Sequence, residues 1–291
     1  MNDIHTHLFW ESYDADRDAV IRRARDAGVS RMLSVGTSPE DNARAIAVAE
    51  KYDDIYASIG LHPHYFNKSG IRNEASREKI KHIKELMESL HTIARHKRVV
   101  AIGECGLDYF VHGEEGPITD EQKTFQKEGF LAQLTLAQEL GLPVIIHTRP
   151  SLGSGDAYDD MYRILKKYVS ESAYPAFHCI LHCYQGDTEI TRQFLELPSI
   201  YFSFSGSITY PVKKALIGTQ EDSAEVVKLI PLERLFTETD CPFLAPQIKR
   251  GTRNEPAYMA FIVDAVCRLK KCSLVDLERR LNENWEKVFG V

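Results

Sequence analysis

No apolar run in this 291-residue chain is long enough to cross a bilayer, and no basic patch leading into an apolar stretch opens it. Neither a membrane partner nor a cleaved leader is expected. The reading is a protein of the cytoplasm, or of the nucleus if the cell is eukaryotic. Cysteine is sparse: Cys105, Cys179, Cys183, Cys241, Cys267 and Cys272 are scattered through apolar surroundings without a Cys-x-x-Cys pair. That excludes a disulfide framework and a zinc finger. A glycine-rich phosphate loop is missing too, and so is any linker rich in proline, glycine or serine. Residues 1–291 therefore read as a single domain. Positive charge is also short, with 36 Lys and Arg against 42 Asp and Glu and a formal net charge of −6. Proteins that grip duplex nucleic acid by long-range attraction carry a basic excess. Any nucleic-acid contact here has to be local, through metal ions and a few arginines.

What the sequence does contain is a repeated unit: a short β-branched run, a loop, then a helical stretch. Strands are expected at Asp3–His7, Arg31–Gly36, Ile55–Leu61, Arg98–Glu104, Leu142–His147, Ala176–His182, Ile200–Ser205 and Arg234–Asp240. Several are nearly continuous apolar runs, as parallel strands covered on both faces require. Helix signals fall between them. Ser38-Pro39-Glu40-Asp41 offers an N-cap serine with proline in the first turn. Thr119-Asp120-Glu121-Gln122 has capping-box spacing, and Gly141 can end that helix. A last helix starts at Ser273 and places Leu274, Leu277, Leu281, Trp285 and Val288 on one side. Alternating β and α units point to an α/β fold, a (β/α)8 barrel. An open doubly wound sheet is the alternative, and the missing phosphate loop speaks against it.

The strand ends carry the chemistry. The first ends in His5-Thr6-His7, the fourth in Glu104, the fifth in His147, the sixth in His182 and the eighth in Asp240. The carboxyl ends of the strands form the active face of such a barrel. His5 and His7 share parity along a strand, so they point the same way. Neutral imidazole and carboxylate suit zinc, manganese, magnesium and related divalent cations. Six such residues are too many for one tetrahedral ion that must also hold water, so two ions per chain are expected. Glu104 is the natural bridge, with His5, His7 and Asp240 on one ion and His147 and His182 on the other. His7 has an alternative role, a bond to a backbone carbonyl. Cys105, Cys183 and Cys241 each follow a ligand directly, so alternation turns them toward the helical layer as small buried hydrophobes.

Two cations about 4 Å apart can stabilise both the entering and the leaving oxygen of a displacement at phosphorus. Asp240 and Glu104 are then the candidate catalytic carboxylates, Asp240 as acceptor of the water's proton, and Glu238 has matching parity behind them. Phosphate needs cationic or donor partners. Arg149, with the parity of His147, and Arg253 are the candidates, together with His62 and His64 in the loop after strand three. Lys249 and Arg250 read as a solvated charge run. Asn254-Glu255-Pro256 reads as a helix start whose amides favour anions.

Seven segments in this order resemble the motifs of the TatD family: Asp3-Ile4-His5-Thr6-His7, Gly60-Leu61-His62-Pro63-His64, Ile102-Gly103-Glu104-Cys105-Gly106-Leu107-Asp108, Ile146-His147-Thr148-Arg149, Leu181-His182-Cys183, Glu238-Thr239-Asp240-Cys241-Pro242 and Arg253-Asn254-Glu255-Pro256. The resemblance spans essentially the whole chain. It implies a TIM barrel related to amidohydrolases, two divalent metals, and 3′–5′ exonuclease action on DNA; the acidic chain, with no broad basic track for duplex, points to single-stranded ends as the substrate. By position it implies His5, His7, Glu104, His147, His182 and Asp240 as ligands. The chain departs from the family at Tyr184-Gln185-Gly186-Asp187 and in the longer segment after Arg149, and both flank the mouth. Two rival functions stand beside this one. One is a metal hydrolase of another ester or amide, such as an aminoacyl ester on tRNA; the other is a non-enzymatic binding module on a barrel scaffold.

Overall fold

The computed structural model describes residues 1–67, 76–111, 116–171, 178–211 and 223–291. Eight strands form one sheet: β1 Asn2–Thr6, β2 Arg31–Val35, β3 Ile55–Ile59, β4 Val99–Asp108, β5 Val144–Arg149, β6 Cys179–Leu181, β7 Ile200–Phe204 and β8 Leu235–Thr237. Their order in the sheet is their order in the chain, and every neighbouring pair is parallel. A parallel bridge between Thr6 and Cys241 joins the last strand to the first. The Asp240 amide donates to the His5 carbonyl at 2.9 Å and the His7 amide to the Cys241 carbonyl at 2.8 Å. This is the expected (β/α)8 barrel. Several strands differ in length from expectation, and β8, expected to reach Asp240, ends at Thr237. β4 runs four residues past Glu104, and β6 is short; residues 176 and 177 of its expected range lie outside the described residues.

Alternation along the strands sorts their side chains into two apolar layers. Met32, Val144, Ile146, Leu181, Phe202 and Leu235 pack outward against the helices. Leu33, Ile145, Ile180, Tyr201 and Phe236 pack inside the barrel with Trp285, Val288 and Phe289 of the final helix, Leu274–Phe289. That helix sits across the strands' amino ends. Its Asn284 side-chain amide donates to the Leu232 and Leu235 carbonyls, the Asn2 amide to its Leu281 carbonyl, and Arg31 lies over Trp285. One end of the barrel is thereby filled, which leaves the carboxyl ends for a site.

The helix boundaries follow the local signals. Ser38 accepts from the Asp41 amide at the start of Pro39–Lys51. Thr119 and Gln122 form a reciprocal capping box before Asp120–Leu140, and Gly141 closes that helix with φ 67°. Ser273 caps the last helix, although Leu274, expected on its buried side, is 51% exposed in the first turn. Among the described residues no helix is long and apolar enough to cross a membrane.

Candidate metal centre

Glu104 reaches the barrel interior because β4 breaks its own alternation. Ala101 belongs to the inner layer and Ile102 to the outer, yet Cys105 and Leu107 are outer as well. The slip falls at Gly103, whose φ of +132° no side-chain-bearing residue adopts without strain, and where a Cβ would lie 2.3 Å from the Ile145 carbonyl oxygen. The pairing of β4 with β5 is irregular over the same stretch. On β1 an irregularity between Asp3 and Thr6 brings His5 to the interior beside inward-facing Ile4. Asp3 ties this strand to the approach of Asp240. Its carboxylate accepts from the Thr239 amide at 2.9 Å and the Thr239 hydroxyl at 2.6 Å.

The side chains converge on Glu104. Its Oε2 lies 3.2 Å from His5 Nε2 and 3.9 Å from His7 Nε2. Its Oε1 lies 2.9 Å from both His147 Nδ1 and His182 Nε2, and 3.5 Å from His62 Nε2. Asp240 Oδ1 faces the first pair, 3.7 Å from His5 Nε2 and 3.5 Å from His7 Nε2. Four overlapping triads have their donor atoms within 4.8 Å of one another: His5, His7 and Asp240; Glu104, His147 and His182; His5, His182 and Glu238; and His62, Asp108 and His147.

Outer partners set the imidazoles. The Val35 carbonyl, which only accepts, lies 2.9 Å from His7 Nδ1, so the proton sits there and Nε2 keeps a lone pair toward the centre. Asp108 Oδ2 is 3.1 Å from His147 Nε2, and Glu238 Oε1 is 3.4 Å from His182 Nδ1. Carboxylate or carbonyl partners of this kind orient metal-ligating histidines.

These residues fit divalent cations. His5 is fully buried with no hydrogen bond through either ring nitrogen, and its ring stacks on that of His182 at 3.9 Å. His147 Nδ1 and His182 Nε2 approach to 3.3 Å. Both nitrogens also lie 2.9 Å from Glu104 Oε1, so three ligand-type atoms converge where one cation can take the place of the shared proton. Electrostatics say the same. Burial works against charge, but hydrogen bonds to Asp108 and Glu104 push His147 up to about 9, and Glu104 and Glu238 raise His182. Burial opposes ionisation of Glu104 as well, yet His182, His62 and His5 hold it well below the usual carboxylate range. Asp240 is lowered by His7 in the same way. The carboxylates stay ionised, and cations can take the place of the imidazole protons.

The rim is more varied. His62 is lowered to about 4 by burial and by neighbouring His147, whose ring centroid lies 4.5 Å away. His64 Nε2 lies 2.9 Å from Asp108 Oδ2. Asp108 was not singled out from the sequence. It is buried, shares the parity of Glu104 on the extended end of β4, and is held low by His147 and His64 against the effect of burial. Arg149 is exposed at the end of β5 with its guanidinium over the Phe110 ring, and no described carboxylate pairs with it. Arg253 is committed elsewhere. It forms a two-pronged pair with Asp16 at 2.9 and 2.8 Å, donates to the Ser12 carbonyl and covers the Tyr13 ring. Asn254 and Glu255 present no open amides, contrary to the anion-site expectation. Asn254 is fully buried and Glu255 is paired with Arg23. Cys105 and Cys241 are buried as expected. Cys183, with φ 45°, is only partly buried, and its Sγ turns to Ser205 at 3.3 Å.

A family model described as TatD related DNase matches residues 2–290. The chain belongs to the TatD family. The uncharacterized metal-dependent hydrolase YabD of Bacillus subtilis is 38% identical over 289 residues, covering 99% of this chain and 98% of that protein. The 3'-5' ssDNA/RNA exonuclease TatD of Klebsiella pneumoniae is 31% identical over 295 residues, covering 100% and 98%. The solved structure of YJJV, a TatD homologue of Escherichia coli K12, superposes with a TM-score of 0.78 at 28% identity and covers 100% and 98% of the two chains. An uncharacterized amidohydrolase of Saccharomyces cerevisiae shares the fold, with a TM-score of 0.79 at 22% identity over 99% of each chain. This TatD chain is accordingly a metal-dependent hydrolase, and its candidate ligands sit at the mouth of the barrel.

Proposed function

We propose that the protein hydrolyses phosphodiester bonds of DNA with two divalent cations, removing nucleotides from the 3′ end of single strands. In this reading His5, His7 and Asp240 would hold one cation and His147 and His182 the other, with Glu104 as the ligand they would share. The observation that carries it is the division of Glu104's carboxylate: Oε2 faces His5 and His7, while Oε1 faces His147 and His182. Divalent cations held there supply Lewis acidity toward a phosphoryl oxygen and make water a competent nucleophile near neutral pH.

The chain's own groups do the rest. Asp240, the most open of the central carboxylates, accepts the proton that water gives up. His62 accepts the His64 amide at Nδ1, so its neutral ring carries a proton on Nε2 and donates into the centre. His64 at the rim and the guanidinium of Arg149, which has no described counter-ion, take substrate phosphate. Nuclease action and its polarity are supported by the names that relatives such as the Klebsiella protein carry. The net charge of −6 gives no broad basic track for duplex, which fits a strand end entering the mouth.

Oligonucleotides labelled at the 5′ end, digested with Mg2+ or Mn2+ and with chelator, test this. A metal-dependent ladder of shortening labelled products is expected, and Asp240→Asn should keep the fold and lose most of the ladder. Immediate release of a labelled mononucleotide would reverse the polarity. No cleavage beside brisk hydrolysis of a carboxylic ester would assign the centre to carbonyl substrates.

A further inference from the structure

Two aromatic side chains stand in solvent beside the centre. Trp10 is 38% exposed and Phe243 is 42% exposed, the only exposed tryptophan and phenylalanine among the described residues. Their rings meet edge to face at 87° with centroids 4.9 Å apart. The His7 ring lies 6.0 Å from Trp10 and 6.1 Å from Phe243.

Neither ring is there by accident of a loose loop. The Trp10 amide donates to the His7 carbonyl at 3.0 Å, and the Phe243 amide donates to the Asp240 carbonyl at 3.0 Å. Each aromatic residue is thus held by a tight turn on a candidate ligand, three residues after it, at the ends of the two strands that close the barrel. The backbones are clamped as well. Arg17 donates to the Leu8 carbonyl at 2.7 Å and the Trp10 carbonyl at 3.4 Å, and the Asn254 amide donates to the Phe243 carbonyl at 2.5 Å. Leaving two large rings in water forfeits the burial that such side chains ordinarily gain. Held rigidly at a right angle, they make a step that a planar heterocycle fills, face-on to one ring and edge-on to the other.

We propose that Trp10 and Phe243 form a nucleobase platform that stacks the base adjoining the phosphate held at the centre. The inference rests on the nuclease reading and names what that reading leaves open, the part of the nucleotide recognised besides its phosphate. Stacking accepts every base because every base has a π face. The platform therefore gives affinity without sequence preference and compensates a chain that has no basic track.

Tryptophan fluorescence reads this directly. The chain has two tryptophans, and Trp285 is fully buried at the opposite end of the barrel, so an added ligand quenches Trp10 alone. The Mg2+-loaded protein is titrated with deoxyadenosine 5′-monophosphate and with 2-deoxyribose 5-phosphate, which lacks the base. Saturable quenching by the nucleotide only, abolished in Trp10→Phe, is expected. Trp10→Ala, and independently Phe243→Ala, should raise KM for a single-stranded oligonucleotide roughly tenfold with a smaller change in kcat. Trp10→Phe, which keeps a stacking ring, should restore KM. Equal quenching by both ligands, or none from a protein that degrades DNA, overturns the platform and leaves the nuclease standing. Base-dependent quenching in a protein that cleaves no DNA supports the platform and removes the nuclease.

Discussion

His7 donates a hydrogen bond from Nδ1–H to the Val35 carbonyl, and the direction of that bond decides what its other nitrogen can be. A carbonyl partner and a ligand role are alternatives on the sequence alone. In the structure the first sets up the second, since a neutral ring that donates at Nδ1 has its lone pair at Nε2. Arg149 presents the opposite case, a cation without a described counter-ion, stacked on Phe110. If it takes substrate phosphate, Arg149→Ala should raise KM by about tenfold and leave metal content unchanged, because a charge-assisted hydrogen bond is worth roughly 1.5–3 kcal/mol. Steady-state kinetics on single-stranded DNA beside metal analysis would show this. A variant matching wild type in KM and kcat would remove Arg149 from the substrate path. The six candidate ligands were legible because each falls at or near the carboxyl end of an apolar strand-like run. Asp108 was not, since the expected strand stopped at Glu104, and only the extended strand lets 104, 106 and 108 share one face.

Among the elements, β4 carries the least forgiving geometry. At Gly106, with φ +144°, a Cβ would sit 2.0 Å from the carbonyl oxygen of His147, the neighbouring strand's candidate ligand. Gly106→Ala should therefore cost about 3 kcal/mol and loosen His147 at the same time. Thermal unfolding and metal content should fall together; an alanine variant with wild-type Tm and full metal content would contradict the close approach. Strand positions and helix caps were readable because short continuous apolar runs and capping residues act locally. The fate of the segment 253–256 was not. Arg253 and Glu255 find their partners Asp16 and Arg23 more than two hundred residues earlier, and no local pattern announces a pair of that span. Cys183 shows the same limit: β6 ends at Leu181, and past a strand's end alternation no longer says where a side chain points.

At the scale of the molecule, the proposed site makes folding and cation binding draw on the same histidines. His147, pushed up to about 9 from a usual 6.5, stabilises the cation-free fold as imidazolium. That contribution is complete below pH 6.5 and lost as pH rises through 9. Cation binding has the opposite sign, since it needs the neutral ring and strengthens as protons leave. The gap in Tm between Mn2+-loaded and chelated protein should therefore widen from pH 6.5 to 9. A gap that narrows would mean that His147 is not among the groups the cation deprotonates. The barrel brings five strand ends to one mouth, and the division of Glu104's oxygens between two sets of imidazoles is what supports the proposal of two cations there. Metal content, measured on protein loaded with excess cation and then desalted, tests this most directly, in wild type and in Glu104→Ala. The account predicts close to two ions per chain in the wild type and a clear loss in the variant, whereas about one ion per chain in both would contradict it.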